Sequence, residues 1–107
     1  MATRTRKTRR RTRYDSANDL KTPKDVAEYL SAAFEEGGDD AAYIAHVVGT
    51  AARAHGGMTK LAKESGMTRA GLYKALSKGG NPSFETIVKA LRVLGVRLVP
   101  QRISMPA

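Results

Sequence analysis

The side chains in this sequence that are best suited to chemistry are the cations and hydroxyls between residues 58 and 78. That stretch carries five cations against one acid, Glu64, which gives it a net charge of +4. Its cations are Lys60, Lys63, Arg69, Lys74 and Lys78. Concentrated positive charge attracts the phosphate backbone of a nucleic acid, because binding releases condensed counterions. The spacing of these side chains decides whether they could also reach base edges.

A pair of short helices is predicted to hold these side chains. The pattern indicates helices over about residues 58–65 and 69–77, joined by residues 65–68. A helix-turn-helix needs a small residue where the helices cross, a glycine in the turn and apolar anchors on the second helix. The residues that meet these needs are Ala62, Gly66, Leu72 and Leu76. We therefore predict a helix-turn-helix, the unit that places its second helix in the major groove of DNA.

The second helix separates into an outward polar side and an inward apolar side. Successive residues turn by about 100°, so one outward arc holds Arg69, Ala70, Tyr73, Lys74 and Ser77. We expect Arg69 to bind guanine through two hydrogen bonds and Ala70 to contact a thymine methyl group. Tyr73 and Lys74 lie one turn further along and are expected to reach a base edge or a phosphate. The base-edge candidates are therefore Arg69, Ala70, Tyr73 and Lys74.

Phosphate contacts are expected around this arc. The candidates are Thr59, Lys60, Thr68, Ser77 and Lys78. Hydroxyls, ammonium groups and helix N-termini are usual partners of phosphate oxygens. Thr68 also suits the cap of the second helix, and the pattern favours that role over base reading. The alternative for each of these residues is an ordinary solvated side chain.

Three further helices are predicted around this pair. They run from Thr22-Pro23 to Gly37-Gly38, from Asp39 or Asp40 to Gly56-Gly57, and from Ser83 to Gly95. Each begins at a capping residue and ends at glycine, and each has apolar residues at helical spacing. The expected buried stripes are Val26, Tyr29, Leu30, Ala33 and Phe34; Ile44, Val47, Val48, Ala51 and Ala52; and Phe84, Ile87, Val88, Leu91 and Leu94.

The residues after the last helix predict a short strand. Val96-Arg97-Leu98-Val99 is rich in β-branched residues and alternates in part. One strand has no partner within the chain, so we expect it to pair with the same strand of a second copy in a homodimer, or to be a loosely ordered tail. The predicted fold is all-α, with five helices around a helix-turn-helix core and this C-terminal strand. One domain is predicted over residues 15–101, between a disordered tail over 1–14 and a short tail over 102–107.

Charge is distributed unevenly along the 107 residues. Residues 1–13 carry seven cations and no acid, a net charge of +7. These cations are Arg4, Arg6, Lys7, Arg9, Arg10, Arg11 and Arg13. Residues 24–57 carry six acids against two cations, a net charge of −4. The basic tail suits phosphate, whereas the acidic segment indicates either a basic protein partner or a solvated surface.

Several classes of function are disfavoured. The chain has no cysteine, which removes disulfides and thiol-based sites. His46 and His55 have no further ligand at a metal-like spacing, and Asp39-Asp40 is better explained as a helix cap than as a carboxylate pair. We expect no catalytic residue, no metal and no cofactor. No apolar run is long enough for a membrane span or a signal segment, so we expect a cytoplasmic protein.

A resemblance to a known family adds to these inferences. Residues 58–77, MTKLAKESGMTRAGLYKALS, resemble the helix-turn-helix of the Xre/Cro type. A longer pattern, over about residues 20–99, resembles the addiction-module antidote proteins of the HigA-like group. The two runs that carry this resemblance are LKTPKDVAEYLSAAFEEG and MTKLAKESGMTRAGLYKALSKGGNPSFETIVKALRVLGVRL. The resemblance implies an Xre/Cro-like fold and an antitoxin that binds operator DNA as a dimer, represses its own operon and neutralises a RelE/HigB-like toxin. It places the DNA contacts on Arg69, Ala70, Tyr73 and Lys74 and implies no catalytic residue, whereas the Arg-rich tail lies outside the family pattern.

Two other functions remain open. The chain could be a stand-alone Xre-type transcriptional regulator with no toxin partner, or a general nucleic-acid binder that acts through its basic tail. A neighbouring gene for a small basic protein would favour the antitoxin.

Overall fold

The computed structural model of the chain describes residues 19–77 and 79–104. Within those residues it has five helices: α1 (Pro23–Gly37), α2 (Ala41–Ala54), α3 (Gly57–Ser65), α4 (Arg69–Leu76) and α5 (Phe84–Val93). The prediction of a mostly helical fold with five helices is confirmed. The predicted basic tail and Lys78 lie outside the described residues.

Side-chain caps fix where three of these helices begin. The Oγ1 atom of Thr22 accepts a hydrogen bond from the backbone N–H of Asp25 at 3.1 Å, and the Asp25 carboxylate accepts one from the N–H of Thr22 at 3.2 Å. Asp40, and not Asp39, caps α2 through the N–H of Tyr43. Ser83 caps α5 through the N–H of Thr86. Because each cap satisfies an N–H that has no partner inside the helix, local sequence sets these boundaries.

Helix α2 forms the centre of the fold. Eight of its fourteen residues are buried, and it packs against each of the other four helices. Its whole predicted stripe, which is Ile44, Val47, Val48, Ala51 and Ala52, is at most 5% exposed. The other helices contribute Leu30, Leu61, Leu72 and Leu91, each at most 2% exposed. One hydrophobic core therefore holds α3 and α4 in place.

One residue of the predicted core lies at the surface. Phe84 is 74% exposed, although its spacing places it on the same stripe as the buried Ile87 and Leu91. It is the first residue of α5, and no neighbouring helix covers that turn. Ala90, which the prediction omitted, is fully buried instead. The prediction for Phe84 was wrong because periodicity gives the direction of a side chain and not the extent of the surface that covers it.

The predicted C-terminal strand is absent from the described residues. Residues 96–104 form no strand, and the backbone groups of residues 97–104 make no hydrogen bond within the described part of the chain. A strand requires a neighbouring strand to complete its ladder of hydrogen bonds, and the described residues contain no strand that could supply one. None of the described helices is long and apolar enough to cross a membrane.

Candidate nucleic-acid interface

The turn between α3 and α4 has the geometry that its sequence predicts. Gly66 has φ +79°, a left-handed conformation that glycine adopts without steric cost, and its N–H donates to the carbonyl of Ala62 at 3.0 Å. Thr68 then caps α4, because its Oγ1 atom accepts from the N–H of Gly71 at 3.0 Å. The space there is tight, since a Cβ atom at Gly71 would lie 2.8 Å from that oxygen. The predicted capping role of Thr68 is confirmed.

Helix α4 presents one anchored side and one open side. Leu72 and Leu76 are 1% and 6% exposed, and they join the core beside the buried Ala62 of α3. The residues of the predicted arc are all exposed, and they are Arg69, Ala70, Tyr73, Lys74 and Ser77. The structure therefore brings the four base-edge candidates onto one open surface, which we call the α4 face: Arg69, Ala70, Tyr73 and Lys74.

Arg69 and Tyr73 interact on the α4 face. The guanidinium carbon of Arg69 lies 5.0 Å from the centroid of the Tyr73 ring, and Tyr73 remains 49% exposed. A cation at this distance from an aromatic ring is attracted by the negative charge of the ring face. The guanidinium carries five N–H donors, so it can contact the ring and still donate to an acceptor. Sequence reasoning missed this contact, although Arg and Tyr four residues apart on a helix were a usable signal.

A second polar group lies at the start of α3. The ammonium of Lys60 is 2.9 Å from the Glu64 carboxylate, and Nε2 of His55 is 3.4 Å from the same carboxylate. The hydrogen bond from Lys60, followed by that from His55, lowers the pKa of Glu64 below its usual range. Both of the phosphate candidates here, Thr59 and Lys60, are exposed. Lys60 already has an anionic partner, so a phosphate would have to compete with Glu64.

The remaining phosphate candidates lie near the end of α4. Ser77 is exposed, and its hydroxyl donates to the carbonyl of Lys74 at 3.1 Å. This bond ties the hydroxyl to its own helix end, while the oxygen still has lone pairs for other donors. Lys78 and the tail cations lie outside the described residues.

A polar cluster around the buried Thr50 connects α1 to α2, and sequence reasoning did not predict it. The hydroxyl of Thr50, which is 3% exposed, donates to the carbonyl of His46 at 3.1 Å and accepts from Nη2 of Arg53 at 3.0 Å. Tyr29 of α1 joins the cluster, and burial raises the pKa of its phenol despite hydrogen bonding to Thr50. Among the described residues no group of three or more potential metal ligands occurs. The cluster has the character of a structural link between helices.

Comparison with known proteins places the chain in a family. The family described as "Probable addiction module antidote protein" matches residues 10–102. A Haemophilus influenzae protein of strain Rd, named only "Uncharacterized protein", is 35% identical over 89 residues, which is 83% of this chain and 89% of that protein. No solved structure matches. An antidote counteracts a toxin, so the family implies a toxin partner and a regulatory protein in general terms. The chain belongs to the family of probable addiction module antidote proteins.

Proposed function

We propose that this protein is the antitoxin and transcriptional autorepressor of a type II toxin–antitoxin operon. It binds operator DNA as a homodimer through an Xre-type helix-turn-helix formed by α3 and α4, and it neutralises a RelE/HigB-like toxin. The observation that carries the DNA-binding part is the α4 face: an exposed arginine, tyrosine and lysine on a helix that Leu72 and Leu76 fix in the core. The antidote family supports the toxin-binding part.

Arg69 is the principal base reader in this proposal. It is the first residue of α4, and the N-terminal residues of the second helix are those that reach base edges in docked helix-turn-helix proteins. Stacking on Tyr73 restricts the guanidinium before DNA arrives, which reduces the entropy lost on binding. Ala70 beside it has a methyl group of the right size to meet that of thymine.

The surrounding residues position the protein on the backbone. Thr59 and Lys60 on α3, and Lys74, Ser77 and Lys78 at the end of α4, contact phosphates on either side of the groove in this proposal. Lys60 exchanges the Glu64 carboxylate for a phosphate when it binds. That exchange has a small cost, because an exposed ion pair of this kind contributes little to stability.

The DNA-binding proposal is tested with the promoter fragment upstream of the protein's own operon. Arg69→Ala should weaken binding to that fragment by about 5- to 150-fold, which corresponds to about 1–3 kcal/mol for one bidentate base contact. Binding to unrelated DNA of the same length should change far less. Lys63→Ala is the matched control, because Lys63 is an exposed cation on α3 outside the proposed contacts. An Arg69→Ala protein with unchanged sequence preference would show that α4 does not read this operator.

The toxin-binding proposal is tested by co-expression with the neighbouring gene of the operon. We expect the neighbour to arrest growth when expressed alone and to be rescued by this chain. The Arg69→Ala variant is the control, since it should rescue growth although it no longer represses the operon. A neighbour that is harmless, or that is not rescued, would favour a stand-alone regulator.

A further inference from the structure

The carboxylate of Glu64 has two partners that come from different helices. Its Oε2 atom accepts from the ammonium of Lys60, on the same helix, at 2.9 Å. Its Oε1 atom lies 3.4 Å from Nε2 of His55, the residue that ends α2. We call these three residues the Glu64 cluster. The side chains of His55, Glu64 and Lys60 are 32%, 42% and 46% exposed, so each is accessible to solvent.

The backbone between α2 and α3 brings the two partners together. His55 is fixed as the C-cap of α2, since its backbone N–H donates to two carbonyls in the last turn of that helix at 3.0 Å. Gly56 follows with φ +107°, and a Cβ atom built there would lie 2.5 Å from Cδ of Lys60. The aliphatic part of Lys60 therefore passes close to Gly56. Imidazole and ammonium thus approach Glu64 from neighbouring positions.

The charge of His55 is governed mainly by Glu64. Within the part of the chain that the structure describes, Glu64 is the only acid within ion-pair distance of His55. On its other side His55 lines a cavity with Lys21, which precedes α1, and the end of α5 contributes no charged side chain to that cavity. On α2, the preceding cation is Arg53, whose guanidinium donates to Thr50. The remaining charged groups around the imidazole are therefore cations, which cannot stabilise its protonated form.

Only one member of the Glu64 cluster changes its charge near neutral pH. Hydrogen bonds from Lys60, and then from His55, lower the pKa of Glu64 below its usual range, so it remains a carboxylate. Histidine is the side chain that gains a proton between about pH 8 and pH 5. Protonation of His55 gives the carboxylate a second cation, and Glu64 then holds Lys60 less firmly.

We propose that His55 replaces Lys60 as the cation paired with Glu64 when the protein binds DNA, so that binding takes up a proton. The inference rests on the proposed function for the contact between Lys60 and a phosphate. When Lys60 leaves, an unpaired carboxylate would face the negative charge of DNA, and a proton from solvent on the imidazole of His55 neutralises it. The complex then holds more protons than the free protein, so a lower pH favours the complex.

The first test needs no DNA. Lys60→Gln imitates the departure of the ammonium, and it should move the midpoint of the His55 titration to higher pH because Glu64 then has no other cation. Glu64→Gln should move that midpoint to lower pH. NMR of the imidazole C–H groups follows both histidines, and the exposed His46 is the internal reference that should not move. Identical His55 midpoints in the wild type and both variants would contradict the proposed coupling.

The second test measures affinity for the promoter fragment at one salt concentration and two pH values. The wild type should bind roughly two- to fivefold more tightly at about pH 5.5 than at about pH 7.5, the fold-change that one exposed ion pair supplies. His55→Gln should abolish this gain. His46→Gln is the matched control and should keep it, since these are the two histidines of the chain. A gain that follows His46 instead would overturn the proposal.

Glu64→Gln separates the exchange from a direct contact between protonated His55 and a phosphate. The variant should bind more tightly than the wild type at about pH 7.5 and lose most of the pH dependence, because no carboxylate is left to be paired. PH dependence that persists in full would assign His55 to the phosphate and rule out the exchange. Circular dichroism checks that each variant keeps its helices.

Calorimetry in buffers of different ionisation enthalpy counts the protons directly. Binding of the promoter fragment should take up a measurable fraction of a proton, up to about one per chain, and His55→Gln should take up none. A wild type that binds the fragment equally well at both pH values would overturn the exchange and leave the proposed function intact. A protein that binds no promoter DNA at either pH would overturn the proposed function, and the exchange with it.

Discussion

At the scale of single residues, Thr68 determines where α4 begins and therefore how the α4 face is presented. Its hydroxyl oxygen accepts the N–H of Gly71, so the first turn of α4 does not fray. Arg69 and Ala70 lie in that turn. The Thr68 cap thus controls the position of the two residues that we propose to read bases.

Removing the Thr68 cap should destabilise the fold and reduce operator affinity together. Thr68→Ala is expected to lower the free energy of unfolding by about 1 kcal/mol, within a range of roughly 0.5–2 kcal/mol. Urea denaturation followed by circular dichroism measures this. Thr68→Ser keeps an acceptor oxygen and should lose much less. Equal stability of the alanine and serine variants would mean that the hydrogen bond does not hold the first turn in solution.

Contacts between residues that are close in the sequence could be predicted, whereas features that depend on distant helices could not. Capping is local, because the acceptor and the N–H that it satisfies are three residues apart, and the sequence therefore identified Thr22, Thr68 and Ser83 as caps. Stacking of Arg69 on Tyr73 is also local, but it depends on side-chain conformation as well as on spacing. The exposure of Phe84 is not local, since it depends on where the other helices end.

At the scale of helices, the position of α4 depends on how closely α2 approaches it. A Cβ atom built at Gly49 of α2 lies 3.4 Å from the carbonyl oxygen of Leu76, the last residue of α4. That distance accommodates a methyl group but nothing larger. Gly49 is buried in the centre of the fold, so the end of α4 has no free space to move into without disturbing the core.

Enlarging Gly49 should therefore shift α4 and destabilise the protein. Gly49→Leu is expected to lower the free energy of unfolding by about 1–3 kcal/mol, the usual range for overpacking a core. Gly49→Ala is the matched control, and it should be tolerated because its Cβ atom makes an ordinary contact. Thermal and urea denaturation measure both variants. A Gly49→Leu protein as stable as the Gly49→Ala protein would show that α2 and α4 are less tightly packed than described.

The helices could be predicted from the sequence more readily than the conformation of the C-terminal segment. The stripe of α2 was predicted in full because five apolar residues at helical spacing determine which face is buried. Residues 96–99 have strand-forming composition, but a strand is a property of a pair of segments, and composition describes only one.

At the scale of the whole molecule, charge is divided unevenly between residues 1–13 and the rest of the chain. Residues 1–13 carry a net charge of +7 out of +9 for the chain. The family match begins at residue 10, so most of this charge lies at or beyond its edge. We therefore expect the N-terminal tail and the α4 face to contribute differently to DNA binding. The tail would act through counterion release, and the α4 face would act through base contacts.

Deleting residues 1–13 should weaken binding to all DNA and make it less sensitive to salt. If all seven tail cations contact phosphates, the slope of log affinity against log salt concentration should become shallower by up to about 6, at about 0.9 per contact. The ratio of operator to non-specific affinity should stay nearly constant. Titrations at several salt concentrations measure this. An unchanged slope would show that the tail does not contact DNA, and a lost preference for the operator would assign it a role in sequence reading.

Because α4 is short, one copy of the protein can read only a few base pairs of an operator. Eight residues make a helix of about 12 Å, which spans about four base pairs at about 3.4 Å each. A given sequence of four base pairs occurs about once in 256 positions of random DNA. A genome offers about a million or more competing sites, so such a sequence recurs there many times. A single chain therefore cannot address one operator. Two linked copies multiply these odds, so we expect the proposed homodimer to distinguish its operator far better than one copy could.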